Sequence, residues 1–369
     1  MSPVALPDFP WDSLTGAREL AARHTGGLVD LSVGTPVDPV PAVIRDALAG
    51  PAAEIPGYPT THGTPALREA VAASLGRRFG VTGLDPAAVL PTIGSKELVA
   101  WLPTLLGLGA GDVVGVPAVA YPTYEVGALL AGATPVRLAD GEAPPAGTRL
   151  VWLNSPSNPT GRVLDARAMR ASVEAARAVG ATVASDECYL GLAAPALGAV
   201  SVLHPDVCDG RHEGLLAVHS MSKTSNLAGY RAAFLAGDPA LVGALLEIRK
   251  HAGMIVPHPV QAALAAAASD DAHVRAQVAL YDGRRARLRA AAEAFGLRVD
   301  HSEAGLYLWA TAGRPCRETV QALAERGILV APGEFYGDAG AEHVRIALTA
   351  SDERIDAAVA RLTSDRPGR

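Results

Sequence analysis

Short apolar runs alternate with alanine-rich stretches through the middle of this 369-residue chain, and that alternation most restricts its fold. Residues 113–116, 135–138, 150–153, 182–184, 215–219 and 232–236 read as strands. Residues 123–130 and 166–179 read as helices between them, the second placing Met169, Val173 and Ala176 on one face. Strand–helix alternation predicts a mostly parallel sheet with helices on both sides. Ligands in such sheets bind beyond the carboxyl ends of the strands. Four polar segments lie at such ends and so converge on one site.

The segment with the clearest chemistry is Ser220-Met221-Ser222-Lys223-Thr224, at the end of an apolar strand. A lysine held between small hydroxyl residues is placed to form a Schiff base with a carbonyl cofactor. It does so usefully when burial beside another cation lowers its pKa. Arg231, eight residues later, is placed to hold a phosphate. Asn154-Ser155-Pro156-Ser157-Asn158-Pro159-Thr160-Gly161 and Asp186-Glu187-Cys188-Tyr189 each follow an apolar run, and Gly94-Ser95-Lys96-Glu97 opens a helix-like stretch, 98–106. Taken singly these have plainer readings: a helix cap for Asp186, a turn for Asn-Pro-Thr-Gly, a core aromatic for Tyr121.

In this order and spacing, the four segments resemble the fold-type I, pyridoxal-phosphate-dependent aminotransferases of class I/II. The resemblance runs from Leu31-Ser32-Val33-Gly34 to Val344-Arg345-Ile346-Ala347. G-S-K-E-L-V-A-W-L-P at 94–103, A-Y-P-T-Y-E-V-G at 120–127, S-D-E-C-Y-L-G-L at 185–192 and H-S-M-S-K-T-S-N-L-A-G-Y-R at 219–231 are similar to one subgroup. That subgroup is the N-succinyldiaminopimelate aminotransferases of bacterial lysine and diaminopimelate biosynthesis.

The resemblance implies an α/β fold with a large domain, roughly 46–260, built on a mostly parallel mixed sheet. A small α/β domain would comprise 261–369 with a linking helix, joined by the N-terminal segment 1–45. It also implies roles. Lys223 carries the cofactor, and its freed amine moves the substrate proton. Asp186 faces the pyridine nitrogen, where a carboxylate favours the pyridinium and lets the ring act as an electron sink. Tyr189 and Asn158 bond the phenolic oxygen, Asn154 lines the same pocket and Tyr121 stacks on the ring. Gly94, Ser95 and Lys96 offer the phosphate a helix N-terminus, with Ser220 and Arg231 completing the cradle. Lys96 contributes its side chain or only its backbone N–H. Tyr58 reaches the phosphate of a neighbouring subunit, which implies a homodimer. Arg345 forks onto the substrate carboxylate, and Gly34 brings backbone close to it; Arg345 alone would read as a surface arginine on an edge strand.

Composition excludes several alternatives. A net charge of −6 and a pI near 5.9 argue against a nucleic-acid partner. No apolar segment is long enough to span a bilayer, and the start of the chain lacks a signal-peptide pattern; both imply no membrane association and a cytoplasmic protein. Cys188, Cys208 and Cys316 are scattered, indicating neither a disulfide framework nor a metal site. Gly107, Gly109 and Gly111 make a poor dinucleotide fingerprint, with Asp112 in its last position. Pro3, Pro7 and Pro10 suggest an extended arm, which in the family packs on a partner subunit. Residues 260–295 read as one long helical region whose polar positions are Gln261, Gln277, Arg284, Arg285, Arg287 and Arg289.

The expected reaction is transamination of N-succinyl-LL-2,6-diaminopimelate with 2-oxoglutarate, the partners being small amino and keto acids. Another aminotransferase specificity, or a β-lyase acting on sulfur amino acids, shares the same catalytic set. A non-catalytic regulator on the same frame would usually lose Lys223 or gain a DNA-binding extension. For the distal carboxylates of the succinylated substrate, Arg249, Lys250, His251, Arg77 and Arg78 are the candidates, against a plain reading as solvated helix ends.

Overall fold

The computed structural model describes residues 5–364. Seven strands form the large sheet: β1 (Val89–Ile93), β2 (Val113–Pro117), β3 (Thr134–Leu138), β4 (Thr148–Asn154), β5 (Thr182–Asp186), β6 (Leu215–Ser220) and β7 (Ala232–Gly237). Their order is β1-β7-β6-β5-β4-β2-β3. All pairings are parallel except those of β7, which runs antiparallel to both β1 and β6. The six predicted strands are all present. The seventh, β1, escapes the sequence pattern because Pro91 interrupts it; a proline that cannot donate is tolerated there because β1 is an edge strand.

Helices bury their apolar faces against both sides of this sheet. On one side α1 (Pro65–Phe79), α4 (Ala166–Ala178) and α6 (His258–Ser269) cover Val89, Val151, Val183 and Phe234. The predicted stripe Met169, Val173 and Ala176 is the buried face of α4. On the other side α2 (Ser95–Leu105), α3 (Thr123–Ala131) and α5 (Pro239–Ala252) cover Val114, Trp152, Leu216 and Leu235. Burial on both faces is why the inner strands read as continuous apolar runs, whereas the edge strand β3 is partly exposed.

The predicted helical region 260–295 is two helices, α6 and the 23-residue α7 (Ala272–Ala294). The break falls at Asp270, whose carboxylate accepts the backbone N–H groups of Ala272 at 2.9 Å and His273 at 3.2 Å. An aspartate that satisfies first-turn donors starts a new helix. Gln261, Gln277 and Arg284 are buried rather than lining a polar face.

Beyond α7, a four-stranded antiparallel sheet carries β8 (Arg298–Asp300), β9 (Tyr307–Thr311), β10 (Ala331–Pro332) and β11 (His343–Ala347) in the order β10-β11-β9-β8. Helices α8 (Cys316–Ala324) and α9 (Asp352–Thr363) pack on it. Val29–Asp30 pairs with Ile328–Leu329, so the N-terminal segment joins this sheet's core. Within the expected arm, residues 5–9 are exposed and Pro10–Leu14 forms a short 3-10 helix. Trp11 packs on Phe335 with ring centroids 5.3 Å apart and lies 5.8 Å from the Arg345 guanidinium. Pro3 lies outside the described residues. Among those residues, no helix is long and apolar enough to cross a membrane.

Candidate active site

Parallel register puts the polar motifs side by side: Asn154 pairs with Asp186 across β4 and β5, and Asp186 pairs with Val218 across β5 and β6. The chain leaving β6 turns at once into the short helix Met221–Thr224, with Ser220 Oγ accepting the Ser222 N–H at 3.1 Å. This turn carries Lys223 toward the N-terminal segment, where Nζ donates to the Gly34 carbonyl. Burial lowers the pKa of the Lys223 amine; Tyr307 and Cys188 oppose that, while Arg345 and Arg231 add to it.

Asp186 is 6% exposed. Its Oδ2 accepts the Tyr124 hydroxyl at 2.9 Å and its Oδ1 the Cys188 N–H at 3.1 Å. Burial raises its pKa against the pull of these donors. Tyr124 is a residue whose role the sequence did not reveal. Tyr121 stands just before Pro122, the N-cap of α3, and Tyr124 lies in the helix's first turn. Its ring stacks on Trp152 at 4.9 Å, which aims the hydroxyl at Asp186. Tyr121 is half-buried, 5.9 Å edge-on from Tyr124, with its pKa raised by burial to about 12.

Asn154 ties the loop together: Oδ1 accepts the Asn158 N–H at 2.7 Å and Nδ2 donates to the Asp186 carbonyl at 2.9 Å. Asn158 Oδ1 then accepts from Arg345 Nη1 at 3.0 Å. Arg345 Nη2 donates to the Ser32 carbonyl at 2.8 Å, and its buried Nε has no partner among the described residues. The Tyr307 ring lies 4.0 Å from the Arg345 guanidinium. Tyr189 places its hydroxyl 3.2 Å from the Tyr307 hydroxyl. Tyr307, a strand aromatic with no local motif, is thus a second residue missed from the sequence. Burial alone would raise its pKa, but Arg345 and Lys223 lower it. Gly34 fits closely here, since a Cβ on it would lie 2.1 Å from the Tyr307 hydroxyl oxygen.

At the other end, α2 begins at Ser95 with no side chain capping its first turn, leaving backbone donors free. Gly94, at φ 79°, is required by the Arg231 guanidinium, which would stand 2.1 Å from a Cβ there. Arg231 is exposed; apart from Nη1 bonding the Ala228 carbonyl, it has no partner among the described residues. Lys96 turns its Nζ over the Phe9 ring at 5.7 Å, while its backbone N–H belongs to the uncapped first turn of α2. Tyr58 is 97% exposed, reaching none of the other site residues.

The residues fit pyridoxal phosphate. An uncapped helix N-terminus with Arg231 suits a phosphate dianion. Buried Asp186 suits a ring cation. Lys223 lies between Asp186 and Arg231 in sequence, and burial lowers the pKa of its amine.

The distal-carboxylate candidates do not join the site. Arg249 is fully buried in α5 and forks onto Glu97 at 2.9 and 3.1 Å. Lys250 pairs with Glu247 at 2.6 Å, Arg77 and Arg78 both clamp Asp271, and His251 is an exposed residue at the end of α5.

Comparison with known proteins shows the family and the fold. The family model described as aminotransferase class I and II matches residues 27–362. A probable aminotransferase of Mycobacterium tuberculosis is 62% identical over 98% of this chain and 86% of its own length. A 4-dedimethylamino-4-oxo-anhydrotetracycline transaminase of Streptomyces rimosus is 58% identical, over 97% of this chain and 99% of the relative. An LL-diaminopimelate aminotransferase of Dehalococcoides mccartyi is 32% identical, over 94% of each. The solved structure of an aminotransferase from Staphylococcus aureus superimposes with a TM-score of 0.86 at 28% identity, covering 98% of both chains.

Proposed function

The chain belongs to the class I and II aminotransferases, which depend on pyridoxal phosphate, and from that premise we propose that it moves an amino group between glutamate and the keto acid related to N-succinyl-LL-2,6-diaminopimelate. The observation that carries this substrate class is Lys96. Its ammonium has no acid partner among the described residues and stands over Phe9. Phe9 adjoins Trp11 at 5.5 Å, and Trp11 adjoins Arg345 at 5.8 Å. Two cations at the ends of an aromatic strip suit a long amino acid with a carboxylate at each end. The diaminopimelate aminotransferases among the relatives, by their name, act on such an acid.

Bound pyridoxal phosphate supplies a carbonyl that takes up the amino group and a ring that withdraws electrons from the breaking Cα–H bond. Arg231, Ser220 and the N–H groups of Ser95 and Lys96 would hold its phosphate. Asp186, as a carboxylate, would hold a proton on the ring nitrogen, and the Tyr124 hydroxyl fixes its orientation. Tyr189 and the amide of Asn158 would donate to the phenolic oxygen. Tyr121 would stack on the ring. Arg345 would bind the substrate α-carboxylate through the guanidinium edge whose Nε is unpartnered. The Lys223 amine, whose pKa burial lowers, would take the proton from the substrate Cα and return it to the cofactor's C4′, the carbon across the nitrogen. The exposure of Tyr58, with Ile55 half-exposed beside it, supports a homodimer in which each Tyr58 completes the partner's phosphate site.

A second reading is an aminotransferase for a bulky planar ketone. The aromatic flank of Phe9, Trp11 and Phe335 favours it, as does the printed activity of the Streptomyces rimosus relative. A β-lyase would share the same catalytic residues. The test is a spectral titration of the purified holoenzyme without keto acid. N-succinyl-LL-diaminopimelate, its N-acetyl analogue, free diaminopimelate, glutamate and common amino acids are added in turn. Fast loss of the cofactor's visible band with the succinyl compound and glutamate, but slow loss with the rest, supports the first reading. An equal response to an unrelated amino acid sinks it. Lys223→Ala is expected to abolish turnover while still permitting some cofactor binding through Arg231 and Asp186.

A further inference from the structure

Two consecutive side chains just beyond Lys223 are stitched to the long helix α7. Ser225 Oγ lies 2.8 Å from His273 Nε2, and His273 Nδ1 lies 2.9 Å from Asp270 Oδ2. Asn226, held in the left-handed region at φ 55°, donates Nδ2 to Gln277 Oε1 at 2.8 Å. Gln277 passes the connection on, its Nε2 donating to Asp38 Oδ2 at 2.9 Å. Arg284, on the same face of α7, forks onto the Asp38 carboxylate at 2.8 and 2.6 Å and reaches Asp352 with Nε at 3.2 Å. Asn226, Gln277 and Arg284 are all buried. Burial would raise the Asp38 pKa, but Arg284 and Gln277 hold it below the usual value.

Asp38 stands four residues after Gly34, and Gly34 is the residue whose carbonyl takes the Lys223 amine. The connections therefore close a ring: from Lys223 to Gly34, along the chain to Asp38, across Gln277 to Asn226, and back to Lys223. Apolar contacts in the same place would tolerate sliding. A ring of buried, partnered hydrogen bonds has few alternative arrangements, because each broken bond leaves a desolvated polar group.

We propose that Gln277 and Asp38 are positioning residues for Lys223: through this ring they hold the Gly34 carbonyl where the lysine amine rests when it is not bonded to the cofactor. The inference rests on the reading of Lys223 as the reactive amine. It gives a purpose to polar groups on α7 that lie too deep to meet solvent and touch no part of the cofactor cradle.

The chain has three lysines, Lys96, Lys223 and Lys250, so the free amine can be followed against an internal reference. The protein is loaded with pyridoxamine 5′-phosphate, which leaves Lys223 free, and exposed to trace acetic anhydride. Acetylation at Lys223 and at exposed Lys250 is then quantified by mass spectrometry. Gln277→Met is expected to raise the Lys223-to-Lys250 ratio roughly fivefold, the effect of losing about one hydrogen bond. Asp38→Asn, closer to the native shape, is expected to shift the ratio in the same direction, with faster hydrogen exchange over residues 33–38. Asp352→Asn loosens the far end of Arg284 without touching Asp38 and is expected to lower thermal stability only. An unchanged ratio in folded Gln277→Met and Asp38→Asn proteins overturns the positioning role, as does an equal rise in Asp352→Asn. The functional reading fails separately, if borohydride fixes no pyridoxal phosphate on the wild-type Lys223 peptide.

Discussion

Arg345 Nη1 donates to Asn158 Oδ1 at 3.0 Å, joining β11 of the small sheet to the loop that leaves β4 of the large one. The same guanidinium holds the Ser32 carbonyl at 2.8 Å and lies 4.0 Å from the Tyr307 ring. One planar group thus gathers three segments around the place assigned to the substrate carboxylate. Lysine has a single nitrogen and no flat face, so it cannot make these contacts together. Arg345→Lys is expected to raise KM for both amino donor and keto acceptor by roughly tenfold, the equivalent of one charge-assisted bond. Steady-state kinetics with both substrates checks this; unchanged KM values would remove Arg345 from carboxylate binding.

Asp186 gives a pH dependence with a definite sign. Burial raises its pKa in the folded chain. The cofactor-free fold therefore keeps a proton that the unfolded chain releases above about pH 4, and this part of its stability is lost as pH rises through the folded pKa. A protonated ring nitrogen opposite the carboxylate reverses the loss. The rise in Tm on adding pyridoxal phosphate should grow as pH climbs above about 4 toward the raised folded pKa, and Asp186→Asn should flatten it. Tyr124→Phe removes a donor that favours the carboxylate, so it should move the same curve to higher pH. Scanning fluorimetry with and without cofactor measures all three; a flat wild-type curve contradicts the argument.

The strands and the residues at their ends were legible because each is local: an apolar run, then a polar motif. The helical face of Met169, Val173 and Ala176 was legible for the same reason. What stayed hidden depends on tertiary direction. Tyr124 was visible as a residue but not as the donor to Asp186, because that needs the Trp152 stack to aim it. Tyr307 carries no motif, and its role comes from Arg345 and Gly34 arriving from opposite ends of the chain. Gln277 and Arg284 read as the polar face of a helix, whereas their partner Asp38 lies more than two hundred residues earlier and draws them inside.

Arg249 shows how the same limit misdirects a specificity assignment. A basic cluster at a helix end suggests a carboxylate reader, but Arg249 is fully buried and already forks onto Glu97 in the first turn of α2. Removing one partner of such a pair leaves the other desolvated and unpaired, at a cost of about 3 kcal/mol. Arg249→Ala should lower Tm and weaken cofactor retention, because Glu97 lies beside the cradle residues Ser95 and Lys96. Substrate KM in cofactor-saturated protein should be unchanged. A selective rise in KM for one substrate would restore Arg249 to a specificity role.

Lys96 is where selectivity between substrates should be found. Its backbone N–H belongs to the first turn of α2, while its ammonium stands over Phe9, away from any acid among the described residues. The two functions therefore separate under mutation. Lys96→Ala keeps the N–H and should leave pyridoxal phosphate affinity within about twofold, as expected for an exposed side chain away from structural features. It removes the only assigned charge partner for a distal carboxylate, so KM for glutamate and the succinyl substrate should rise roughly tenfold, while a neutral amino donor such as alanine is unaffected. Phe9→Ala should act in the same direction but more weakly, since it frees the ammonium without deleting it. Comparing kcat/KM for glutamate and alanine across the two variants measures this directly. Equal losses for both donors would assign Lys96 to the cofactor cradle and leave the distal carboxylate without a reader.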